Sequence, residues 1–251
     1  MAEALFSLDG RLAVVTGGSG AIGLAGAQAL IEAGARLILC GTDEAKLEGA
    51  RDQLPSDADV VLHTGDVRNP DDNARLATIA VALGGVDILV NSVGVQRRRP
   101  IMEATDDDLE YVWGVNMAGV FAVTRALLPQ MTKKGYGKVI HLCSIGSFMG
   151  LDGKTVYAIS KGALAQYTRS SAVELARFGV RVNGIAPGYV DTPMTHDYIH
   201  GDREAEFLAR IPMGRYASVD DLKGPFVFLA SPASDYMTGQ LLVLDGGQTI
   251  W

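Results

Sequence analysis

Tyr157 and Lys161 stand four residues apart in the segment Tyr157-Ala158-Ile159-Ser160-Lys161. On a helix that spacing puts a phenol and an ammonium on one face. A phenol titrates near ~10 and is a poor base at neutral pH, but a neighbouring cation favours the phenolate and brings it toward working range. Ser144 lies at the carboxyl end of a predicted strand, where its hydroxyl can hold a substrate oxygen. Asn116, within the long helix predicted before that strand, can keep a water against Lys161 and give the proton a route to solvent. Each of the four also has an ordinary reading as a helix-surface or strand-end residue, so the case rests on their combination.

The first predicted strand runs into Thr16-Gly17-Gly18-Ser19-Gly20-Ala21-Ile22-Gly23 and then into a helix. Small residues there allow a tight turn and close backbone approach. Amides at a helix start donate to phosphate oxygens at the favourable end of the helix dipole. Gly17, Ser19, Gly20, Ala21, Ile22 and Gly23 are therefore candidates for holding the pyrophosphate of a nicotinamide dinucleotide, whose oxidised ring adds positive charge beside Tyr157. After the second strand, Gly41 and Thr42 fall where the adenosine ribose would lie. Neither the glycine turn nor this one carries a cation, and Asp43 would repel a phosphate, which favours NAD; the Thr42 hydroxyl can bond a phosphate and keeps NADP open. Asp66 and Val67, after the third strand, fit the adenine, although Asp66 serves equally well as a cap for the following helix.

Around these residues the sequence alternates between two periods. Branched apolar runs at 12–16, 36–40, 60–64, 88–91, 138–144, 181–187 and 240–245 read as buried strands. Helical spacing occupies 21–33, 43–54, 71–83, 106–133, 155–178 and 218–230, with capping starts at Thr105/Asp108 and Ser218/Asp221. Strict alternation favours a seven-stranded parallel sheet with helices on both faces, a single doubly wound Rossmann-like domain over 1–251. Residues 189–217 show no regular pattern and are expected to form a substrate lid. Hydrophobic residues make up 48% of the chain, enough to enclose one such core. The net charge of -7 argues against nucleic acid or an anionic membrane as partner. No apolar run is expected to span a bilayer, no secretion signal opens the chain, and two cysteines, Cys40 and Cys143, suggest no disulfide framework; a cytoplasmic protein is expected.

At this point the sequence resembles the short-chain dehydrogenase/reductase family over nearly its whole length. The glycine motif is Thr16–Gly23, a second motif is Asn91-Ser92-Val93-Gly94, and the catalytic tetrad is Asn116, Ser144, Tyr157 and Lys161. Pro187-Gly188 with Val190 and Thr192 resembles the segment that holds the nicotinamide carboxamide. The resemblance implies hydride transfer between NAD or NADP and a secondary alcohol or ketone, Lys161 also on the nicotinamide ribose, and Asn91 and Gly94 beside the cofactor. It further implies a homodimer or homotetramer packed through the 106–133 and 155–178 helices. Ala21 replaces a glycine of the usual motif, a departure expected to be tolerated; Ser92 and Val93 replace the commoner Asn and Ala, which puts local packing in question.

Gln96-Arg97-Arg98-Arg99 follows the fourth strand, on the edge where cofactor and substrate meet. Guanidinium groups can take a carboxylate bidentately, or the loop is simply a solvated charged segment. It resembles sugar-acid dehydrogenases, and the ending Asp245–Trp251 resembles polyol dehydrogenases, so the substrate expected is a polyol, sugar or sugar acid. A 3-oxoacyl thioester reductase and a dinucleotide-sensing protein without turnover are the rivals. Gln96, Arg97, Tyr189, Met194 and His196, with Ser144 and Tyr157, are the candidate substrate residues. His196 and His200 are four apart, but the sequence offers no further converging ligands and no metal is expected. His141 and Cys143 are read as buried structural groups.

Overall fold

The computed structural model describes residues 2–251. Strands β1 (Leu12–Thr16), β2 (Arg36–Gly41), β3 (Val60–Thr64), β4 (Ile88–Asn91), β5 (Gly137–Leu142), β6 (Val180–Pro187) and β7 (Leu241–Leu244) form one sheet. Their order is β3-β2-β1-β4-β5-β6-β7, and every pairing is parallel. The chain direction across the sheet reverses between β1 and β4. At that switch point a crevice opens beyond the carboxyl ends of the strands.

Burial explains why β1 reads as an unbroken apolar run. Leu12 and Val14 face a core with Leu76, Leu127 and Met131, while Ala13 and Val15 face another with Leu30 and Phe226. A strand covered on both faces has no polar side to alternate with. The first of these cores is closed by α4 (Pro70–Ala82) and α6 (Val120–Lys134), the second by α2 (Ala21–Glu32) and α10 (Lys223–Ala230). The capping pairs Thr105/Asp108 and Ser218/Asp221 both form as complete capping boxes.

Three segments depart from the sequence expectation. Residues 106–133 are not one regular helix: α5 (Asp106–Trp113) passes through a π-helical segment, Gly114–Gly119, before α6. By length and composition Asp106–Lys134 could cross a membrane, contrary to expectation, yet Val120, Val123, Leu127 and Met131 are buried against the rest of the fold. The region 189–217 carries two short helices, α8 (His196–Ile199) and α9 (Glu204–Ala209), each too brief to display a helical period. Residues 218–230 begin with a 3₁₀ turn, Val219–Leu222, before α10.

The glycine turn is packed backbone against backbone. A Cβ on Gly23 would stand 2.2 Å from the Gly17 carbonyl oxygen, and Gly17 itself has φ +66° with the Val93 backbone 2.8 Å from where its Cβ would be. Backbone meets backbone there, so no flexible side chain can yield. Gly23→Ala is expected to lower stability by about 1–3 kcal/mol, read by thermal melting and by denaturant titration. A variant equal to the parent in both would contradict this packing.

Candidate active site

Beyond the carboxyl ends of β1, β4, β5 and β6 lies a cleft of about 430 Å³. Its walls are the glycine turn, segment 92–96 after β4, Ser144 after β5, Tyr157 and Lys161 on α7 (Thr155–Leu175), and segment 187–195 after β6. The Gly20 N-cap of α2 has no side-chain cap, and the first helical hydrogen bond is Leu24 N–H to Gly20 O at 2.8 Å. The amides of Ala21, Ile22 and Gly23 therefore have no intrahelical acceptor, and all three residues face the cleft. Open amides, a helix dipole and a floor without side chains suit a pyrophosphate.

Lys161 is 3% exposed, and its ammonium donates to the Leu142 carbonyl at the end of β5 (2.6 Å). It lies 5.7 Å from the centre of the Tyr157 ring. Burial pushes the amine down to about 8, with Cys143 acting weakly the other way. Burial also raises the Tyr157 phenol above its ordinary range, opposed by the Ser144 hydroxyl beside it. The sequence expectation joined Lys161 to the charge of an oxidised nicotinamide; in the chain alone, burial is the larger influence on the phenol.

Asn116 sits in the π segment, fully buried. Its side-chain oxygen accepts from Val95 N–H (2.8 Å), while its amide donates to Val95 O (2.9 Å) and to the Ser160 hydroxyl (3.0 Å). These bonds make Asn116 a clamp on the loop over the cleft. It still borders the lysine, since a Cβ on Gly94 would lie 3.5 Å from Lys161 Nζ and 3.6 Å from Asn116 Oδ1.

The other expected residues separate into two groups. Gly94, Gln96, Pro187, Gly188, Tyr189, Val190, Thr192 and Met194 line the cleft. Asn91 does not; it is buried behind the wall, donating to Thr124 Oγ1 (3.0 Å) and paired with His141 Nδ1 (3.2 Å). Asp66 neither faces the cleft nor caps α4, whose cap is Asn69, because Arg68 Nε holds its carboxylate at 3.0 Å. Val67, Gly41 and Thr42 also lie outside the cleft walls, although a Cβ on Gly41 would reach within 3.3 Å of Ser19 Oγ. Arg97 turns to Asp108 (3.6 Å) and stacks on Tyr111, and Arg99 joins it on Asp108 (3.3 Å). His196 points outward to Asp191 (2.9 Å), which also meets His200 (3.0 Å), so these rings brace the start of the lid against its own first helix. Burial drives His141 down to about 3 and the Cys143 thiol up to about 11, leaving both neutral and structural.

One cleft residue carried no signal in the sequence reading. Lys154, at the N-cap of α7, is 5% exposed and lines the cleft. Burial, and secondarily Arg98, push its amine down to about 8.

A family model described as enoyl-(acyl carrier protein) reductase matches residues 17–249. The chain belongs to the short-chain dehydrogenase/reductase family. As a short-chain dehydrogenase/reductase it is an NAD(P)-dependent oxidoreductase acting on CH–OH groups. Gluconate 5-dehydrogenase of Gluconobacter oxydans is 35% identical over 250 residues, covering 98% of this chain and 97% of its own. The 3-oxoacyl-(acyl-carrier-protein) reductase of Vibrio harveyi is 36% identical over 242 residues, covering 96% and 98%. Among solved structures, a gluconate 5-dehydrogenase from Burkholderia cenocepacia in complex with NADP and tartrate superposes with a TM-score of 0.94 at 35% identity, covering 100% of both chains.

The buried Lys161 amine has a consequence for stability. Folded, it titrates at about 8 against the ordinary 10.5, so between those values the unfolded chain binds the extra proton and stability rises with pH. Lys161→Met, which removes that buried charge, is expected to be more stable than the parent at pH 7 by on the order of 1–3 kcal/mol. The advantage should shrink as pH climbs from 8 to 10.5. Denaturant titrations across that range check it; an advantage independent of pH, or a less stable variant at pH 7, would contradict it.

Proposed function

We propose that this enzyme interconverts a secondary hydroxyl and a ketone on a sugar acid, using NADP(H). The observation that carries the reading is the convergence of Tyr157, Ser144 and Lys161 on one cleft with an uncapped glycine-turn helix as its floor. The nicotinamide, when bound, supplies or accepts the hydride. In reduction the Tyr157 phenol gives its proton to the carbonyl oxygen, which becomes the hydroxyl; in oxidation the phenolate takes that proton back. Ser144 holds the same oxygen by hydrogen bonding. Lys161 stabilises the phenolate by charge and borders the nicotinamide ribose. Asn116 fixes the Val95 loop against which both ligands rest, and residues 189–217 close over them as a lid that excludes water.

The choice of a sugar acid over a neutral polyol draws on the gluconate 5-dehydrogenase relatives and on the cationic side of the cleft. NADP, in place of the NAD favoured by charge counting, is supported by two details. Asp43 caps α3 (Glu44–Arg51) through Lys46 N–H at 3.1 Å and lies 3.7 Å from Lys46 Nζ, so its repulsion is offset and a cation does stand near the ribose turn. The Burkholderia relative was crystallised with NADP. A second reading, reduction of a 3-oxoacyl thioester, is favoured by the Vibrio relative and opposed by the net charge of -7. For assembly we propose a homo-oligomer formed through α5, α6 and α7, where Trp113, Phe121, Ile159 and Val173 remain exposed, with Ile250 and Trp251 reaching toward a neighbour.

Hydride transfer measured with NADPH and NADH side by side, against sugar acids, polyols and acyl thioesters, tests the reading. Preference for sugar acids with NADPH is expected; turnover confined to acyl thioesters would overturn it. Tyr157→Phe is expected to bind NADPH normally and to lose about 10²–10⁴-fold in kcat. Near-parental turnover in that variant would remove Tyr157 from proton transfer.

A further inference from the structure

Lys154 is held where a lysine ammonium is hardest to keep. It is 5% exposed, and among the described residues no carboxylate lies within ion-pair distance and no acceptor bonds its Nζ, which keeps only the contact with solvent that the cleft gives it. It occupies the N-cap of the 21-residue α7, where the helix dipole is positive and a cation is disfavoured. Arg98 stands nearby and adds a second positive charge. The only compensation is the π face of lid residues: Lys154 Nζ lies 4.0 Å from the Tyr198 ring centre and 5.2 Å from that of Tyr189, and Arg98 covers the same Tyr198 ring at 4.3 Å. Arg98 is in turn tied to the lid through the Met194 carbonyl (3.0 Å). Buried charges in folded proteins are ordinarily paired, because an unpaired one forfeits its hydration without return.

We propose that Lys154 is the receptor for the carboxylate of the substrate, with Arg98 reinforcing the positive field and Tyr198 holding both cations in place. The geometry fits such an anion. Lys154 lines the same cleft as Tyr157 and Ser144, and its carbonyl already accepts from Ala158 N–H (2.9 Å), which puts it one helical turn from the phenol. A carboxylate on Lys154 would therefore lie a few carbon atoms from the carbon that exchanges hydride, as in a polyhydroxylated acid that is oxidised away from its acid end. Arg97 and Arg99, the other cations of the loop, are occupied by Asp108 and leave this task to the Lys154 pair. The identity of the anion as the substrate's own acid group rests on the sugar-acid reading above.

The test combines a binding measurement that needs no turnover with a kinetic one. Calorimetric titration of D-gluconate into the NADPH-loaded enzyme is expected to give a Kd at least tenfold weaker in Lys154→Met than in the parent. Lys154→Arg is expected to recover most of the loss. In steady-state kinetics the ratio of kcat/KM for D-gluconate to that for D-glucitol should fall at least tenfold in Lys154→Met, mainly through the KM for gluconate. The variant should melt no lower than the parent, since it sheds an unpaired charge, so a loss of binding is not a loss of fold. Gluconate binding unchanged in Lys154→Met, or gluconate and glucitol weakened equally, would overturn the assignment. Tighter Lys154-dependent binding of D-glucitol 6-phosphate than of gluconate would overturn the choice of carboxylate. If the parent binds gluconate through Lys154 but oxidises no sugar acid, the subsite stands and the proposed reaction falls.

Discussion

The structure depends on a lysine ammonium carried out of water to the edge of a cleft. Lys161 is buried, donates to the Leu142 carbonyl and stands beside Tyr157, at a position where burial lowers its own affinity for a proton and raises the phenol's. Each side chain alone would be an expensive core residue. Together, and with a positively charged ring brought to the same wall, they form a pair that can exchange a proton with a substrate oxygen near neutral pH. The parallel sheet is what makes the cost tolerable. β5 presents the Leu142 carbonyl at its carboxyl end, and the reversal of strand order beside it opens the crevice into which both groups project.

The supports of that pair are local departures from regular structure. The π segment Gly114–Gly119 inserts Asn116 into the interior, where it clamps Val95 through both carbonyl and amide. π segments inside α-helices often mark functional sites for this reason, since the extra residue re-aims a side chain without ending the helix. On the other side, the lid rests on an aromatic group of Tyr189, Tyr198 and Phe207 and on the Asp191–His196–His200 cluster. Opening the lid as a body would leave these internal contacts intact and release Arg98 from Met194.

The sheet, its helices and the four-residue spacing of Tyr157 and Lys161 were legible in the sequence because each is a local periodicity. The strands needed only buried apolar runs, and the glycine turn only its place between a strand and a helix. What escaped were facts of tertiary direction. The arginine loop announced three equivalent cations, yet Arg97 and Arg99 turn to Asp108 and only Arg98 reaches the lid, a difference set by a carboxylate on α5 that no spacing rule connects to the loop. Asp191 meets His196 and His200 only because the first residues of the lid turn back on α8. Lys154 gave no signal in the sequence; only its burial makes it notable. Asn91 was placed beside the cofactor by resemblance and Asp66 by its position after the third strand; that Thr124 and Arg68 hold their side chains was not legible.

The most direct measurement of the central interaction is the ionisation of the Tyr157 phenol itself, followed by ¹³C NMR of tyrosine-labelled enzyme across pH, alone and saturated with NADP⁺. The free enzyme is predicted to show a phenol titrating above the ordinary 10.0, and the NADP⁺ complex one shifted well below it, with the shift reduced in Lys161→Met. A phenol that titrates at the same pH with and without oxidised cofactor would contradict the electrostatic coupling on which the site is built.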